Sequence, residues 1–374
     1  MREDWDIRLF KDVFDLQMGK TPDRKNFSLF EGDNTWVSIK DLDGKYISSS
    51  KECISDEAAK NIKLVKRGTV IMSFKLTIGK TAIAGKDLYT NEAIMAFNLR
   101  NGYDIDASFL YYYLKNYRWE GSNKAVMGIT LNKATISKHK IAIPPKPTQL
   151  SIVSELDKLN ELIRIKKEQL KDYDALAQSI FYEMFGDPME NEKGWEVKAL
   201  GEVSTYPKER IAINQICPNQ YIGVENLIKD RGGVRFSDNL PKADVAIAYK
   251  ENDILLGNIR PYLKKIWLAD KVGGASGDVV IIRIKERSIS PLFLFKLLSS
   301  DQFFEYDNTH TKGAKMPRGD RKVIAKFGVI LPPLSLQQSF TQKIEQIEQQ
   351  KVAIQKTITD LETLLAARMQ YWFD

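Results

Sequence analysis

Pro144-Pro145-Lys146-Pro147-Thr148-Gln149 decides the reading of this chain, because it returns 188 residues later as Pro332-Pro333-Leu334-Ser335-Leu336-Gln337. Each proline pair follows a short apolar run, Ile141-Ala142-Ile143 in the first copy and Val329-Ile330-Leu331 in the second. A proline pair ends a strand and presets the first turn of a helix, so each copy predicts a strand-to-helix junction. Working outward, the segments that follow end alike, in Met184-Phe185-Gly186-Asp187 and Trp372-Phe373-Asp374, with Phe185 and Phe373 again 188 apart. The beginnings match more loosely: Asp4-Trp5-Asp6-Ile7 resembles Gly194-Trp195-Glu196-Val197. The 374 residues are therefore a domain-sized duplication. It divides into a globule at 1–147, a helix at 148–187, a second globule at 188–334 and a second helix at 335–374.

Within each globule, strand-like and helix-like runs alternate, which predicts a mixed α/β (α+β) fold. Strands are predicted at Thr35–Ile39, Thr69–Ser73, Ala93–Phe97 and Ile141–Ile143, then at Asp253–Leu256 and Val279–Ile282. A short helix is predicted late in each globule, at Phe109–Leu114 and Leu292–Leu298. The long segments show the clearest period. Leu156, Leu159, Ile163, Lys166, Leu170, Tyr173, Ala177, Ile180 and Met184 follow the alternating three-four spacing of a coiled-coil seam. Ile344, Ile347, Lys351, Ile354, Ile358, Leu361, Leu365, Arg368 and Trp372 repeat it in the same register. Neither stripe is stable in water, and their equal length predicts that they pack antiparallel as a coiled-coil spacer. The chain would then close on itself about a pseudo-twofold axis. At ~1.5 Å per residue a helix of this size holds its ends roughly 50 Å apart, about one to one and a half turns of B-DNA. Two independent arms, each recruiting a different partner, are the competing arrangement.

Composition narrows the class. The hydrophobic fraction is 43% and the charged fraction 28%, as in a globular protein. No apolar stretch approaches the roughly 18–20 residues of a membrane span, so no membrane partner is expected. The acidic start, Met1-Arg2-Glu3-Asp4-Trp5, does not read as a signal peptide. Cys53 and Cys217 lie in no ligand-like spacing, and with only His139 and His310 beside them they argue against a zinc site or a histidine-based triad. They fit a reducing cytoplasm. The net charge of +7 is unevenly spread. Lys60 to Lys146 holds 15 basic residues against 5 acidic, and Ala248 to Leu334 holds 15 against 9. Thr148 to Asp187 holds 5 against 8, and Leu336 to Asp374 holds 4 against 5. The globules carry the cationic surface that phosphate binding requires, and the helices do not.

The order globule–helix–globule–helix, with Pro-Pro-x3-Gln at each helix start, resembles the specificity (S) subunit of type I restriction-modification systems over essentially the whole chain. The resemblance implies that each globule is a target recognition domain reading one half of a split double-stranded DNA sequence. It implies that the helices space the halves and dock two methyltransferase (M) subunits, with restriction (R) subunits joining for cleavage. Adenine methylation would then use S-adenosylmethionine bound by the partner, and restriction would use ATP and Mg on another. No cofactor is expected on this chain. The residues agree with that division. The proline pairs sit between Ile143 and Lys146 and between Leu331 and Leu334, not in the Asn/Asp-Pro-Pro-Tyr/Phe motif of an adenine methyltransferase. Gly19-Lys20-Thr21 and Gly79-Lys80-Thr81 lack the first glycine of a phosphate loop, since Phe14 and Phe74 stand there. Asp187, Glu196 and Lys198 form a faint nuclease-like spacing that recurs nowhere else, so a non-catalytic subunit is expected. A stand-alone two-headed DNA-binding or architectural protein is the second reading.

Recognition needs cations for phosphates and planar or hydroxyl groups for base edges. In the first half Lys75, Thr77 and Lys80 lie on a loop after a predicted strand, with Lys124, Thr130 and Lys133 on a second loop. Their counterparts are Arg260, Tyr262, Lys264 and Lys265, then Lys312, Lys315 and Arg318. Arg260 is the best candidate for a bidentate guanine contact, and Tyr262 the best to support it or stack. Lys20, Arg24, Lys25, Lys208 and Arg210 are expected to flank the site. Gly128, Gly313 and Gly319 are expected to admit phosphates close to the backbone. The loops differ between halves while junctions and helices match, which predicts an asymmetric target.

Overall fold

The glutamine of the repeated motif is a joint. Gln149 is buried; its Oε1 accepts the backbone N–H of Asp106 at 2.8 Å, and its Nε2 donates to the carbonyls of Asp104 at 3.1 Å and Pro144 at 2.9 Å. Gln337 repeats this with the N–H of Ser290 at 2.8 Å and the carbonyls of Ser288 at 3.0 Å and Pro332 at 2.8 Å. Asp106 and Ser290 are the N-cap residues of the helices Ala107–Asn116 and Pro291–Leu298. One planar amide thus satisfies three backbone groups where a strand, a long helix and a short helix meet. A buried apolar residue would leave all three unpaired. Gln337→Ala is therefore expected to cost about 3 kcal/mol, read as a lower urea midpoint with unchanged slope.

The computed structural model of the chain describes residues 5–119, 123–125, 128–311, 313 and 316–374, with 123–125 and 128–130 as backbone only. The chain forms two compact units, residues 1–168 with 355–374, and residues 169–354. The long helices run Lys146–Phe185 and Leu334–Phe373 and begin directly after the proline pairs. Among the described residues, no helix is long and apolar enough to cross a membrane.

The first unit is built on a five-stranded sheet in the order Phe14–Met18, Ile94–Leu99, Val70–Ser73, Thr81–Ala84, Tyr46–Ile47. The second repeats the first four places in the order Ser204–Thr205, Val279–Ile284, Ile254–Gly257, Ile266–Leu268. The central strands Val70–Ser73 and Ile254–Gly257 read as continuous apolar runs because both faces are covered and every residue is buried. Each unit closes with an antiparallel ribbon between its opening strand and the strand before the proline pair. Asp6–Leu9 pairs with Lys140–Ile143, and Glu196–Ala199 with Gly328–Leu331. The weak likeness of the two beginnings in sequence is this ribbon.

Each unit takes in one end of both long helices. In the first unit, Ile152 and Leu156 join the core, and Leu365, Met369, Trp372 and Phe373 pack against it. Phe373 lies 5.8 Å from Phe109 and 5.7 Å from Tyr113 between ring centroids. Glu155 accepts from Arg368 and, at 2.9 Å, from the Trp372 indole, while Lys167 pairs with Glu362 at 2.6 Å. In the second unit, Phe181 and Phe185 meet Phe293 and Phe340, at 4.8 Å for Phe185–Phe293 and 5.2 Å for Phe185–Phe340. Lys351, a polar member of the seam, bonds Asp174 at 2.7 Å. Of the seam positions, Leu156, Leu159, Ile163, Ile344, Ile347, Ile354 and Ile358 are buried. Leu170, Tyr173, Ile180, Leu361 and Leu365 are half-buried.

The expected strands and short helices are present with shifted ends; Thr35–Ile39, for example, is Asn34–Val37, because Ser38 caps a 3-10 turn at Ile39–Asp41 and donates its N–H and hydroxyl to Asp41. Several helices escaped the sequence reading, the longest being Asp301–Thr309, which is capped by Ser300 and buries Phe303 and Phe304.

Candidate nucleic-acid interface

In both units the loop leaving the central strand is pinned to the loop that precedes the closing ribbon. After Val70–Ser73, Phe74 donates its N–H to Ala93 at 3.0 Å and accepts from Leu131 at 2.9 Å. Lys75 and Leu76 then pair with Thr130 and Ile129 in a three-stranded sheet that includes Asn123–Ala125. After Ile254–Gly257, Asn258 donates to Asp278 at 2.9 Å and accepts from Gly319 at 3.1 Å. Ile259 bridges Arg318, and the Arg260 N–H donates to Pro317 at 2.7 Å. The two loops expected to read DNA in each half are thus one surface, held by the same backbone pattern in both.

The candidate cations on this surface differ in what holds them. Arg260 is exposed, with φ of 54°, in the left-handed region that side chains disfavour. Its carbonyl accepts from Leu263 at 2.9 Å and closes the turn Pro261–Leu263. Pro261 is buried, Tyr262 is half-exposed, and the Arg260 guanidinium has no ion-pair partner among the described residues. Lys264, also left-handed at 50°, is tied instead to Asp301 at 2.6 Å, a carboxylate it shares with Arg231. Lys265 donates to the Val224 carbonyl at 2.6 Å, and burial lowers its pKa. Arg318 pairs with Asp278 at 3.2 Å. These three are each held by a protein partner, whereas Arg260 is exposed with no ion-pair partner among the described residues.

In the first unit Lys80 and Thr77 are exposed and Lys75 is half-buried, its Nζ 5.4 Å from the Phe74 ring. The Ser73 hydroxyl ties this loop by donating to Thr77 and accepting from the Lys80 N–H at 3.1 Å. Lys133 is exposed in the helix Lys133–Lys138, capped by Asn132. Lys20, Lys25, Lys208 and Arg210 are exposed. Arg24 is committed elsewhere: it grips Glu52 and stacks on Phe30 at 4.4 Å and Trp36 at 5.0 Å. The side chains of Lys124 and Thr130, and residues Lys312 and Lys315, lie outside the described part, as does the surround of Gly128.

Gly319 is placed differently from the sequence expectation. A Cβ there would meet Asp307 Oδ1 at 2.6 Å and Asn258 Oδ1 at 3.0 Å, so its close approach is inward to protein and not outward to phosphate. Gly313 has φ of +93°. Asp307 is 1% exposed, and neither of its carboxyl oxygens has a hydrogen-bond partner among the described residues. Burial pushes its carboxyl up to about 6. An unfolded aspartate titrates near 3.9, so the folded state holds this proton more tightly, and the benefit is lost as pH rises through about 6. Asp307→Asn is accordingly expected to stabilise the protein by up to about 3 kcal/mol at pH 7.5. The gain should shrink toward pH 4, as measured by thermal unfolding at both pH values.

Asp187, Glu196 and Lys198 do not assemble as a nuclease set. Asp187 accepts from Met189 N–H in a turn, and Lys198 bonds Glu286 at 3.3 Å. No group of three metal-ligating side chains occurs among the described residues. What the surface offers is cationic and hydrogen-bonding recognition on a rigid frame.

Among the described residues this loop frame occurs in both units. Residues 2–172 match the family model described as the type I restriction modification DNA specificity domain. The chain is 25% identical to the type I restriction enzyme MjaIX specificity subunit of Methanocaldococcus jannaschii, over 97% of this chain and 91% of that one. In fold it resembles the S subunit of a type I restriction-modification system from M. genitalium, with a TM-score of 0.56 at 15% identity, covering 99% and 96% of the two chains. A chain from structural work on complex assembly and conformational transition of the type I R-M system gives 0.63 at 17% identity, covering 100% and 98%. Residues 2–172 thus carry the signature of a type I restriction modification DNA specificity domain, and the chain as a whole is similar to a type I specificity subunit.

Proposed function

We propose that this chain reads a bipartite, asymmetric double-stranded DNA target, one half per unit, and does no chemistry itself. The observation that carries the reading is the shared loop frame with different residues at its tip, Leu76 in one unit and Arg260 in the other. Equal frames with unlike tips suit two readers of unlike sequence. The long helices would form an antiparallel coiled-coil spacer that closes the chain about a pseudo-twofold axis; the packing of both helix ends inside each unit supports this. That symmetry would set one methyltransferase subunit on each half-site, so that both strands are modified, with restriction subunits joining the same assembly. S-adenosylmethionine, and ATP with Mg for restriction, would then be held by those partners, and the whole would work in the cytoplasm beside the DNA. Co-expression with a type I methyltransferase subunit from the same host tests this: the chain should bring down two methyltransferase copies, and the complex should methylate plasmid adenines. Tight binding of the isolated chain to one contiguous site, with no methyltransferase recruited, would instead identify a stand-alone DNA-binding protein.

A further inference from the structure

Leu76 and Arg260 occupy the same place. Each is the third residue past its central strand, which ends at Ser73 in one unit and Gly257 in the other. Each follows a residue paired with the late loop, Lys75 with Thr130 and Ile259 with Arg318. Each is non-glycine in the left-handed region, Leu76 at φ 62° and Arg260 at 54°. Glycine or asparagine would take that backbone with less strain, and a leucine is ordinarily placed to be buried. Leu76 is 66% exposed, although its neighbours Phe74 and Ile78 both pack into the core. Strain and exposure coincide at the tip of a loop that also carries Lys75, Thr77 and Lys80. Residues held in sparsely populated conformations collect at ligand-contacting sites.

A leucine cannot read a hydrogen-bonding edge. Of the features in the major groove, the one it can read is the 5-methyl group of thymine. Flanking lysines supply the phosphate contacts that would set its depth. Resting on the reading of this surface as a DNA-recognition site, we infer that Leu76 recognises a thymine in the first half-site through its methyl group. At the same point of the second unit, Arg260 reads by hydrogen bonds. One frame therefore carries an apolar reader and a polar one.

The test uses the assembled complex and duplexes of its methylation-mapped target, in which single thymines are replaced by deoxyuridine, removing only the methyl group. At one thymine of one half-site the wild-type complex should lose about fourfold in affinity, the worth of one buried methyl. Leu76→Ala and Leu76→Gly should bind thymine and uracil duplexes equally at that position and should leave the other half-site unchanged. Glycine accepts the φ of 62°, so Leu76→Gly should unfold at the same temperature as wild type or higher, which separates recognition from folding. Equal wild-type binding to every uracil duplex overturns the inference while leaving the bipartite reading intact. Equal loss of thymine and uracil binding in Leu76→Ala also overturns it, in favour of a wedge between base steps. A wild-type complex with no sequence preference removes both the inference and the function it rests on.

Discussion

Deleting Gln355–Asp374 is expected to unfold the amino-terminal unit, although the deleted residues lie more than 180 positions from most of what they support. Leu365, Met369, Trp372 and Phe373 pack on the first core, and Phe109 and Tyr113 would lose their ring contacts with Phe373. Full burial of such a side chain contributes about 1.5–3 kcal/mol. Four half-buried ones, with the loss of Arg368 and Trp372 from Glu155, amount to at least ~5 kcal/mol, against a domain stability of about 5–15 kcal/mol. Limited proteolysis should then cut within residues 5–119, while the core around Phe181, Phe185 and Phe340 stays protected. An amino-terminal unit that keeps its protection after the deletion would show that the helix end is dispensable and the packing inferred for it wrong.

Arg260→Ala is expected to relax recognition at one base of one half-site and to leave the other half unchanged. A bidentate arginine–guanine pair is worth about 1–3 kcal/mol of discrimination, roughly five- to 150-fold. The turn around Arg260 is held by backbone bonds to Pro317 and Leu263, so truncating the side chain spares the frame. Arg260→Lys keeps the charge without the fork and should retain phosphate-like, salt-sensitive affinity while losing most of the discrimination. Competition binding against duplexes varied one base pair at a time reads this directly. Equal weakening of both half-sites by Arg260→Ala would mean that the units do not read independently.

The junctions and long helices were legible because their signals are local: a proline pair, a run of apolar residues, a three-four period. Why Gln149 and Gln337 recur was not legible, since their partners lie more than 40 residues earlier, at Asp104, Asp106, Ser288 and Ser290. The deeper anchors Phe181, Phe185 and Phe340 fell off the counted seam because at the helix ends the core is a globule and not another helix. Basic residues could be counted but not sorted. Arg24, Lys264, Lys265 and Arg318 look like Arg260 in sequence, and only their partners Glu52, Asp301, Val224 and Asp278 set them apart. Leu76 gave no signal at all, because one leucine after an apolar strand reads as more core; its left-handed backbone is what exposes it.

Mapping methylated adenines in a host that carries this chain with its partner genes, and in the same host without it, tests the two-reader account most directly. The account predicts a split, asymmetric motif with one modified adenine in each half, present only with the chain, and altered in one half alone by Arg260→Ala. A contiguous motif, a palindromic one, or methylation indifferent to this chain would contradict it.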